Sequence, residues 1–473
     1  MDQREYARRP FGTAVVIGGS IGGSVAAAAL SNSFERVIVL DRDELPSEPR
    51  RRKGTPHGHQ FHALTIGGRV FIEELFPGFS QQAVELGAQL IDRTQDIAYL
   101  SKFGFLKRGP SEHRNLLATR TFLEWRMRTR TRELNNVEII ERSTVTSLVA
   151  QNGAVVGVEM ADAERNSRTI MADLVIDTSG RSSLAPKWFE AMGYPAPAET
   201  TIDAKWGYTS AYIKPDPSWN PDFDVLYVSP TVTGEGPQAT RGAAMWRQEG
   251  GVWVLTAQGC GGDLPPSDEA GYRDFLGSFG RREFTDLLET GQMIEPPVSW
   301  RTTTNRMRDF AGLATRPENF IVLGDAVAAF NPVYGQGMAS AAQGALLLSS
   351  ELPAWFTKNG QDLRGFAAHF QQCLHDNVLQ QCWVLSTGAD LQIPGVELNG
   401  APQQVQRTER NDYMDRLMAL CTEDLEIMTK FAETTGMLRG MDWIFAEETR
   451  NKITQNWDRL GKIKRLDAEM GVA

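Results

Sequence analysis

Residues 13–41 decide the fold; they read TAVVIGGSIGGSVAAAALSNSFERVIVLD. Short apolar runs at residues 13–17 and 37–40 predict two buried strands, and the alanine-rich run at 24–30 predicts a helix between them. Residues 18–23 separate the first strand from the helix and fit a GxGxxG turn that carries serine at the middle glycine position. A strand, a glycine turn, a helix and a second strand in this order indicate a Rossmann-type α/β unit.

The same segment has the chemistry of a dinucleotide site. Gly18 permits the tight turn, Gly23 lets the helix pack close to the strand, and Ser20 is small enough to leave room for a ligand. Free N–H groups at the start of the helix are suited to a pyrophosphate. Asp41 ends the second strand about 20 residues further on, where a carboxylate accepts hydrogen bonds from ribose hydroxyls, and Arg42 is a further candidate beside it. A glycine turn between core elements, followed by a solvated carboxylate, is the alternative interpretation.

Two later segments add pieces of the same kind. Residues 172–183 (ADLVIDTSGRSS) predict a strand that delivers Asp177 to a turn requiring backbone freedom at Gly180, which is a weak signal by itself. The stronger signal lies at residues 320–338. There an apolar strand at 320–323 is followed by Gly-Asp-Ala, and the loop NPVYGQGM then leads into a helix of small residues at about 339–348.

The 320–338 segment predicts a flavin site. Asp325 can bind the hydroxyls of a ribityl chain, and Gly335 and Gly337 let backbone N–H groups and a helix dipole face the flavin edge that becomes negative on reduction. Pro332 and Met338 belong to the same loop. Together with an adenosine-ribose site upstream, this predicts FAD. We do not expect Asp325 to be a general base, because it would be committed to the ribityl chain.

The composition is that of an ordinary globular protein of about two folding units, with 41% hydrophobic residues in 473. Its 49 Lys and Arg and 59 Asp and Glu give a net charge of −10, which argues against nucleic acid as a partner. Four widely separated cysteines indicate neither a disulfide framework nor a zinc site and favour a cytoplasmic protein. No run reaches the roughly 18 uncharged apolar residues of a membrane span. Glycines within the apolar run 14–30 argue against a signal peptide.

Because the cofactor motifs are dispersed, the sequence predicts a discontinuous FAD-binding domain of residues 1–80, 110–190 and 301–350. Residues 81–109 and 191–300 predict a mostly antiparallel sheet, rich in tryptophan, that covers the flavin and forms a wall of the substrate cavity. The candidate substrate-lining residues are His59, Trp206 and Trp253. Residues 351–473 carry apolar residues at helical spacing and predict a C-terminal helical region.

The three motifs in this order resemble the glutathione-reductase-2 group of flavin monooxygenases, the p-hydroxybenzoate-hydroxylase-like family. Within residues 118–124 (ATRTFLE), Arg120 resembles the family's arginine at the start of a helix near the FAD pyrophosphate. Val145 resembles the strand residue whose backbone meets the adenine. A surface charge on an arginine-rich helix is the alternative for Arg120.

A narrower resemblance is carried by residues 53–64 (KGTPHGHQFHAL), residues 73–78 (EELFPG), the NPVYGQGM loop and the helical tail. These are similar to the polyether (monensin/lasalocid-type) olefin epoxidases of ionophore antibiotic biosynthesis, which act on polyene polyketides. The resemblance implies FAD as cofactor, O2 as co-substrate, and NAD(P)H or a separate flavin reductase as electron source. It implies epoxidation by a flavin C4a-hydroperoxide, so that no side chain need be catalytic.

Other functions remain open at this stage. An aromatic-ring hydroxylase of the same fold and a flavin-binding pathway protein without redox chemistry are the alternatives. A flavin halogenase is disfavoured, because residues 251–255 (GVWVL) lack the Trp-x-Trp-x-Ile-Pro signature. His57, His59 and His62 do not indicate a metal site, since their spacing alternates without clustered carboxylates or thiolates. We therefore expect an apolar small-molecule substrate and no metal.

Overall fold

The computed structural model describes residues 9–231, 237–278, 280–400 and 409–463. At its centre is a five-stranded parallel sheet. Its strands, in spatial order, are Phe320–Val322, Leu174–Asp177, Phe11–Ile17, Phe34–Leu40 and Val137–Ile140. The interior strands are apolar over consecutive residues because both faces of a parallel sheet are covered. Their carboxyl ends meet at one edge, which brings the loops after Ile17, Leu40, Asp177 and Val322 together.

Helices cover the parallel sheet and extend beside it. They span Ile21–Ser31, Ile66–Leu75, Phe79–Glu85, Arg120–Arg132, Ala185–Ala191 and Gly337–Asn359. The last of these packs against Ile21–Ser31, so the two predicted cofactor helices are neighbours. It is longer than the predicted 339–348, because Pro353 is accommodated within it and Gly360, at φ +63°, ends it.

The substrate sheet has seven strands. In spatial order they are Gln292–Trp300, Gly207–Lys214, Trp253–Gly259, Arg241–Arg247, Val225–Val228, Ile97–Ser101 and Gly104–Phe105. All pairs are antiparallel except Ile97–Ser101 with Val225–Val228. One face packs on the helices Glu269–Gly277 and Arg282–Thr290, and alternate residues on the other face line a large cavity.

Three smaller sheets complete the β-structure. A three-stranded antiparallel sheet contains Ser167–Met171, Ala154–Ala161 and Thr144–Gln151. A four-stranded sheet contains Ala328–Ala329, Asn305–Arg308, Glu199–Asp203 and Glu397–Asn399. The sheet beside the cavity, called here the small sheet, contains Ala63–Leu64, Arg114–Leu117 and Gln89–Asp92.

The C-terminal region is helical. Its helices span Phe366–Leu374, Gln380–Thr387, Glu409–Leu420, Leu425–Thr435, Glu447–Gln455 and Trp457–Leu460. The backbone of Gly436 accepts a hydrogen bond from Gly67, and that of Cys421 accepts one from Lys107, so this region is tied to the N-terminal half. The predicted fold class is confirmed: an α/β Rossmann-type domain, an antiparallel sheet domain and a C-terminal helical region. Within the described ranges, each helix is too short or too polar to cross a membrane.

Candidate functional site

A cavity of about 1500 Å³ lies where the parallel sheet, the seven-stranded sheet and the C-terminal helices meet. Pockets for a single small ligand are typically about 300–1,000 Å³, so this cavity has room for a cofactor and a substrate together. Most of the predicted site residues line it: Ser20, Arg42, Arg120, Trp206, Asp325, Pro332, Gly335, Gly337 and Met338. The others lie outside the lining: Gly18, Gly23, Asp41, His59, Val145 and Trp253.

The glycine turn has the packing that its sequence predicts. Gly18 has φ +101°, and a Cβ there would lie 2.9 Å from the carbonyl oxygen of Thr178. A Cβ on Gly23 would lie 1.8 Å from the carbonyl oxygen of Gly18. The packing of the turn therefore requires glycine at both positions, and neither residue lines the cavity. The helix Ile21–Ser31 has neither a side-chain cap nor an acidic residue in its first turn in the described structure, so its first N–H groups are available to an anion.

Arg120 stands beside this turn. Its Nη2 donates a hydrogen bond to the hydroxyl of Ser20 at 2.8 Å, and its Nε lies 3.5 Å from a carboxylate oxygen of Glu124. Burial lowers the pKa of Arg120, although Glu124 partly offsets the effect. A guanidinium and an uncapped helix start thus face the same end of the cavity. These groups fit a pyrophosphate.

Asp41 is buried in a charged cluster, so the alternative of a solvated strand-end carboxylate is wrong. Its two oxygens accept the backbone N–H groups of Gly19 at 2.7 Å and Asp43 at 2.9 Å. Arg52 contacts Asp41 at 3.3 Å, Asp43 at 2.7 Å and Glu124 at 2.6 Å. Burial raises the pKa of Asp41 and the Arg52 guanidinium opposes the rise. Ribose binding by Asp41 stays a prediction.

The end of the cavity at which the sequence predicts the flavin is formed by the loop after Val322. The Asp325 side chain is 43% exposed and faces the cavity, with Arg181 Nε 4.0 Å from its carboxylate. Gly335 has φ +68°, a conformation that favours glycine. The helix Gly337–Asn359 then begins without a capping side chain among the described residues, so its N-terminal N–H groups are open to the cavity. A polyhydroxyl chain and an electron-rich ring edge fit these donors and acceptors.

Sequence reasoning missed the carboxylate that organises this loop. Asp390 is 1% exposed and accepts hydrogen bonds from Trp206 Nε1 at 2.7 Å, the Tyr334 hydroxyl at 2.6 Å and Asn305 Nδ2 at 2.7 Å. Asn331 Nδ2 lies 3.3 Å away. Burial outweighs these neutral donors and raises the pKa of Asp390 to about 6. No local motif marks Asp390, because its partners come from distant parts of the chain.

The histidines of residues 57–62 lie in two different environments. The prediction that His59 lines the cavity is wrong. Its Nε2 lies 3.2 Å from the carbonyl oxygen of Ser210, its Nδ1 lies 3.3 Å from Glu295, and its ring meets Tyr212. His57 and His62 line the cavity instead, with ring centroids 5.7 Å apart. Burial lowers the pKa of His57 well below its usual value and that of His62 to about 3, so both rings are neutral near pH 7.

The prediction for Trp253 is also wrong. Its ring lies on the helix-facing side of the seven-stranded sheet, edge-on to Trp219 and Phe223. Trp246 and Trp300 of the same sheet line the cavity instead, and the ring centroids of Trp246 and Phe61 lie 4.8 Å apart in a stacked arrangement. Side chains alternate between faces along a strand, and the pairing of Arg247 with Trp253 turns the neighbouring Trp246 to the cavity.

The remaining cavity wall is mainly aromatic and aliphatic. Tyr99 and Tyr227, on the seven-stranded sheet, stack with their ring centroids 4.9 Å apart. Opposite them, the C-terminal helical region contributes Met414, Met418, Phe431, Ile444 and Phe445. Val145 lies in the three-stranded antiparallel sheet opposite Met160, and its backbone contact with adenine stays a prediction.

Potential metal ligands meet at one place in the described part of the chain, outside the cavity. Glu351, His369 and Cys373 have ligand atoms within 4.8 Å of one another. His369 Nε2 lies 2.6 Å from Glu351 and 3.7 Å from the sulfur of Cys373. The contact between the Glu351 carboxylate and the His369 imidazole explains the 2.6 Å distance without a metal ion. A structural zinc site requires four ligands, and this group offers three among the described residues.

No family model matches the chain. It is 34% identical over 341 residues to Protein Rv3254 of Mycobacterium tuberculosis, a match that covers 70% of each protein. The chain belongs to the family of Protein Rv3254. Squalene epoxidase 1 of Arabidopsis thaliana is 31% identical to it over 175 residues, which are 35% of this chain and 30% of that protein.

Solved structures of other proteins share the fold of this chain. A flavoprotein/dehydrogenase from Cytophaga hutchinsonii superposes with a TM-score of 0.64 at 14% identity, covering 95% of this chain and 99% of its own. Flavin-dependent brominases and monooxygenases have the same fold. At 13% and 17% identity these structures show the fold alone, so the predicted monooxygenase activity is taken up as a proposal. The narrower resemblance to polyether epoxidases stays a prediction.

Proposed function

We propose that this chain is an FAD-dependent monooxygenase that epoxidises an alkene of a long, mostly apolar polyene, such as a polyene polyketide. The observation that carries the proposal is a single cavity with two uncapped helix N-termini at one side and an aromatic and methionine-rich wall at the other. The partial similarity to squalene epoxidase 1, whose name describes epoxidation, supports the same class of reaction.

The first group of residues would bind the cofactor. Ser20 and Arg120 would hold the pyrophosphate, Asp325 the ribityl chain, and the N–H groups around Gly337 the electron-rich edge of the ring. When bound, reduced FAD would supply the electrons that activate O2 for transfer of one oxygen atom. The chain itself then has to position the alkene and exclude water.

The second group of residues would bind the substrate and keep water out. A long apolar chain gains roughly 25 cal/mol for each Å² that it buries against Tyr99, Tyr227, Trp246 and the C-terminal methionines, so tight binding does not require a matched set of charges. His57 and His62 adjoin the same space as neutral rings, and they bring no net charge that would favour water. Such a dry site favours oxygen transfer over unproductive loss of the oxidant.

The proposal is tested in two steps. Denaturing the purified, flavin-loaded protein should release FAD; release of FMN alone, or no affinity for added FAD, would contradict the cofactor assignment. The loaded protein is then supplied with NADPH or a flavin reductase, ¹⁸O2, a linear polyene and a small phenol at equal concentrations. Mass spectrometry should find ¹⁸O in an epoxide of the polyene. Label in the phenol alone would indicate an aromatic hydroxylase, and no label in either would favour a function without redox chemistry.

A variant links this activity to the site. Asp325→Ala should weaken FAD binding about 10–100-fold, since a hydrogen bond to a charged group contributes roughly 1.5–3 kcal/mol. Circular dichroism should remain unchanged. Asp222→Ala, at a carboxylate that is 83% exposed, is the control and should bind FAD as the wild type does. Equal FAD affinity in both variants would show that Asp325 does not hold the ribityl chain.

A further inference from the structure

Within the described ranges of the chain, an arginine lies in the predominantly apolar wall of the cavity without a counter-ion. Arg93 lines the cavity, and its Nη1 is enclosed without a hydrogen-bond partner. Among the described residues, no carboxylate lies within 4 Å of its guanidinium. The nearest acidic side chain along the chain, Asp92, is already engaged by Arg114 at 3.0 Å and by Ser111 at 2.7 Å.

The surroundings of Arg93 do not supply an anion. Tyr99 is the titratable side chain that interacts electrostatically with Arg93. Burial lowers the pKa of Arg93 and raises that of Tyr99, so the phenol is neutral near pH 7. Ile91, Ile97 and Val225 form an apolar cluster around this part of the wall. A partly buried charge without a counter-ion is unfavourable, and a ligand anion would remove that cost.

A second polar group lies next to Arg93. Asn115 is 4% exposed and lines the cavity, and its side-chain oxygen is enclosed without a hydrogen-bond partner. In the small sheet Asn115 pairs with Ile91, and the backbone N–H of Arg93 donates to the carbonyl of His113. Residues two apart on a strand point to the same face, so Arg93 and Asn115 are diagonal neighbours on the face toward the cavity.

We infer that Arg93 binds the carboxylate end of the substrate, which is therefore a long apolar acid rather than a neutral hydrocarbon. A planar guanidinium presents paired N–H donors that match the two oxygens of a carboxylate, whereas the orphaned oxygen of Asn115 is an acceptor that can receive one of the remaining N–H groups of Arg93. The apolar chain then extends along the aromatic wall. Fixing one end of a flexible chain selects which double bond reaches the flavin end. This inference rests on the proposed function, because it takes the cavity as the substrate site.

Binding of matched probes tests the inference without turnover. Farnesoic acid and its methyl ester share one apolar triene chain and differ in charge at one end. Each is titrated into the oxidised, FAD-loaded full chain by equilibrium dialysis. The wild type should bind the acid at least tenfold more tightly than the ester. Equal affinity for acid and ester in the wild type would overturn the inference, and this comparison requires no variant.

Variants then assign the preference to Arg93. Arg93→Met should bind the acid at least tenfold more weakly while its affinity for the ester stays within twofold, and Arg93→Lys should keep part of the preference. Arg282→Met, which removes an arginine whose side chain is 88% exposed, should behave as the wild type. An undiminished acid preference in Arg93→Met would overturn the inference. Loss of FAD from Arg93→Met would also overturn it, by assigning Arg93 to the cofactor.

The binding and turnover results are separable. If the acid preference depends on Arg93 but ¹⁸O2 labels neither probe, the anion site stands and the proposed oxygenation fails. If either probe is epoxidised without any acid preference, the proposed function stands and the anion site fails.

Discussion

Two buried carboxylates lie at opposite ends of the predicted cofactor groove, and the protein stabilises them differently. Asp41, at the adenosine end, has the guanidinium of Arg52 and two backbone N–H donors. Asp390, at the predicted flavin end, has neutral donors alone among the described residues, from side chains such as Trp206 and Tyr334. The first cluster pairs Asp41 with a guanidinium that is only 11 residues away in the sequence. The second uses one carboxylate to tie together segments that are far apart in the chain.

The largest expected effect comes from removing the cation of the first cluster. Arg52→Met leaves Asp41 and Asp43 buried without their guanidinium, and breaking a buried ion pair from one side typically costs about 3–5 kcal/mol. Urea unfolding of the purified protein measures this loss. Arg50→Met is the matched control, because Arg50 is 71% exposed, and it should change the free energy of unfolding by less than about 0.5 kcal/mol. Similar losses in both variants would contradict the internal role of Arg52.

A smaller effect is expected from removing the acceptor of the second cluster. Asp390→Ala leaves the N–H of Trp206 and the hydroxyl of Tyr334 without an acceptor, at a cost of roughly 1–3 kcal/mol. Because Tyr334 belongs to the loop before Gly337, FAD affinity should fall as well. Asp390→Asn keeps one acceptor oxygen and should lose less of both. Undiminished FAD affinity in the Ala variant would show that the loop holds its shape without Asp390.

The smallest effect is the pH dependence that separates the two carboxylates. The pKa of Asp390 is raised to about 6 from an ordinary value of 3.8, so the folded state binds this proton more tightly than the unfolded state does. The stability it contributes is present below pH 3.8 and is lost as pH rises to 6. Relative to Asp390→Asn, the wild type should therefore lose about 1 kcal/mol per pH unit between pH 4 and 6.

The same experiment at the other end of the predicted groove tests the role of Arg52 beside Asp41. The pKa of Asp41 is also raised by burial, but Arg52 opposes the rise. The difference in unfolding free energy between wild type and Asp41→Asn should change in the same direction and with a shallower slope. A steeper slope for Asp41 than for Asp390 would mean that Arg52 does not offset the burial of Asp41.

These clusters also mark how far the sequence allows prediction. The turn at Gly18–Gly23, the loop at Asp325 and the C-terminal helices follow from local patterns, and the structure contains all three. His59 and Trp253 were wrongly expected to line the cavity, because strand pairing decides which face a residue occupies. Asp390 was not predicted, since its bond to Trp206 spans 184 residues.

The parallel sheet has a consequence for how the chain matures during synthesis. Its strand Phe11–Ile17 is made early, while the edge strand Phe320–Val322 and the helix Gly337–Asn359 that packs on Ile21–Ser31 follow some 300 residues later. At 5–20 residues per second, the ribosome takes roughly 15–60 s to cover that interval. For that time the helix Arg120–Arg132, which also packs on Ile21–Ser31, is already made, but the face that packs against Gly337–Asn359 stays uncovered. Chaperones or transient packing must keep that face from aggregation.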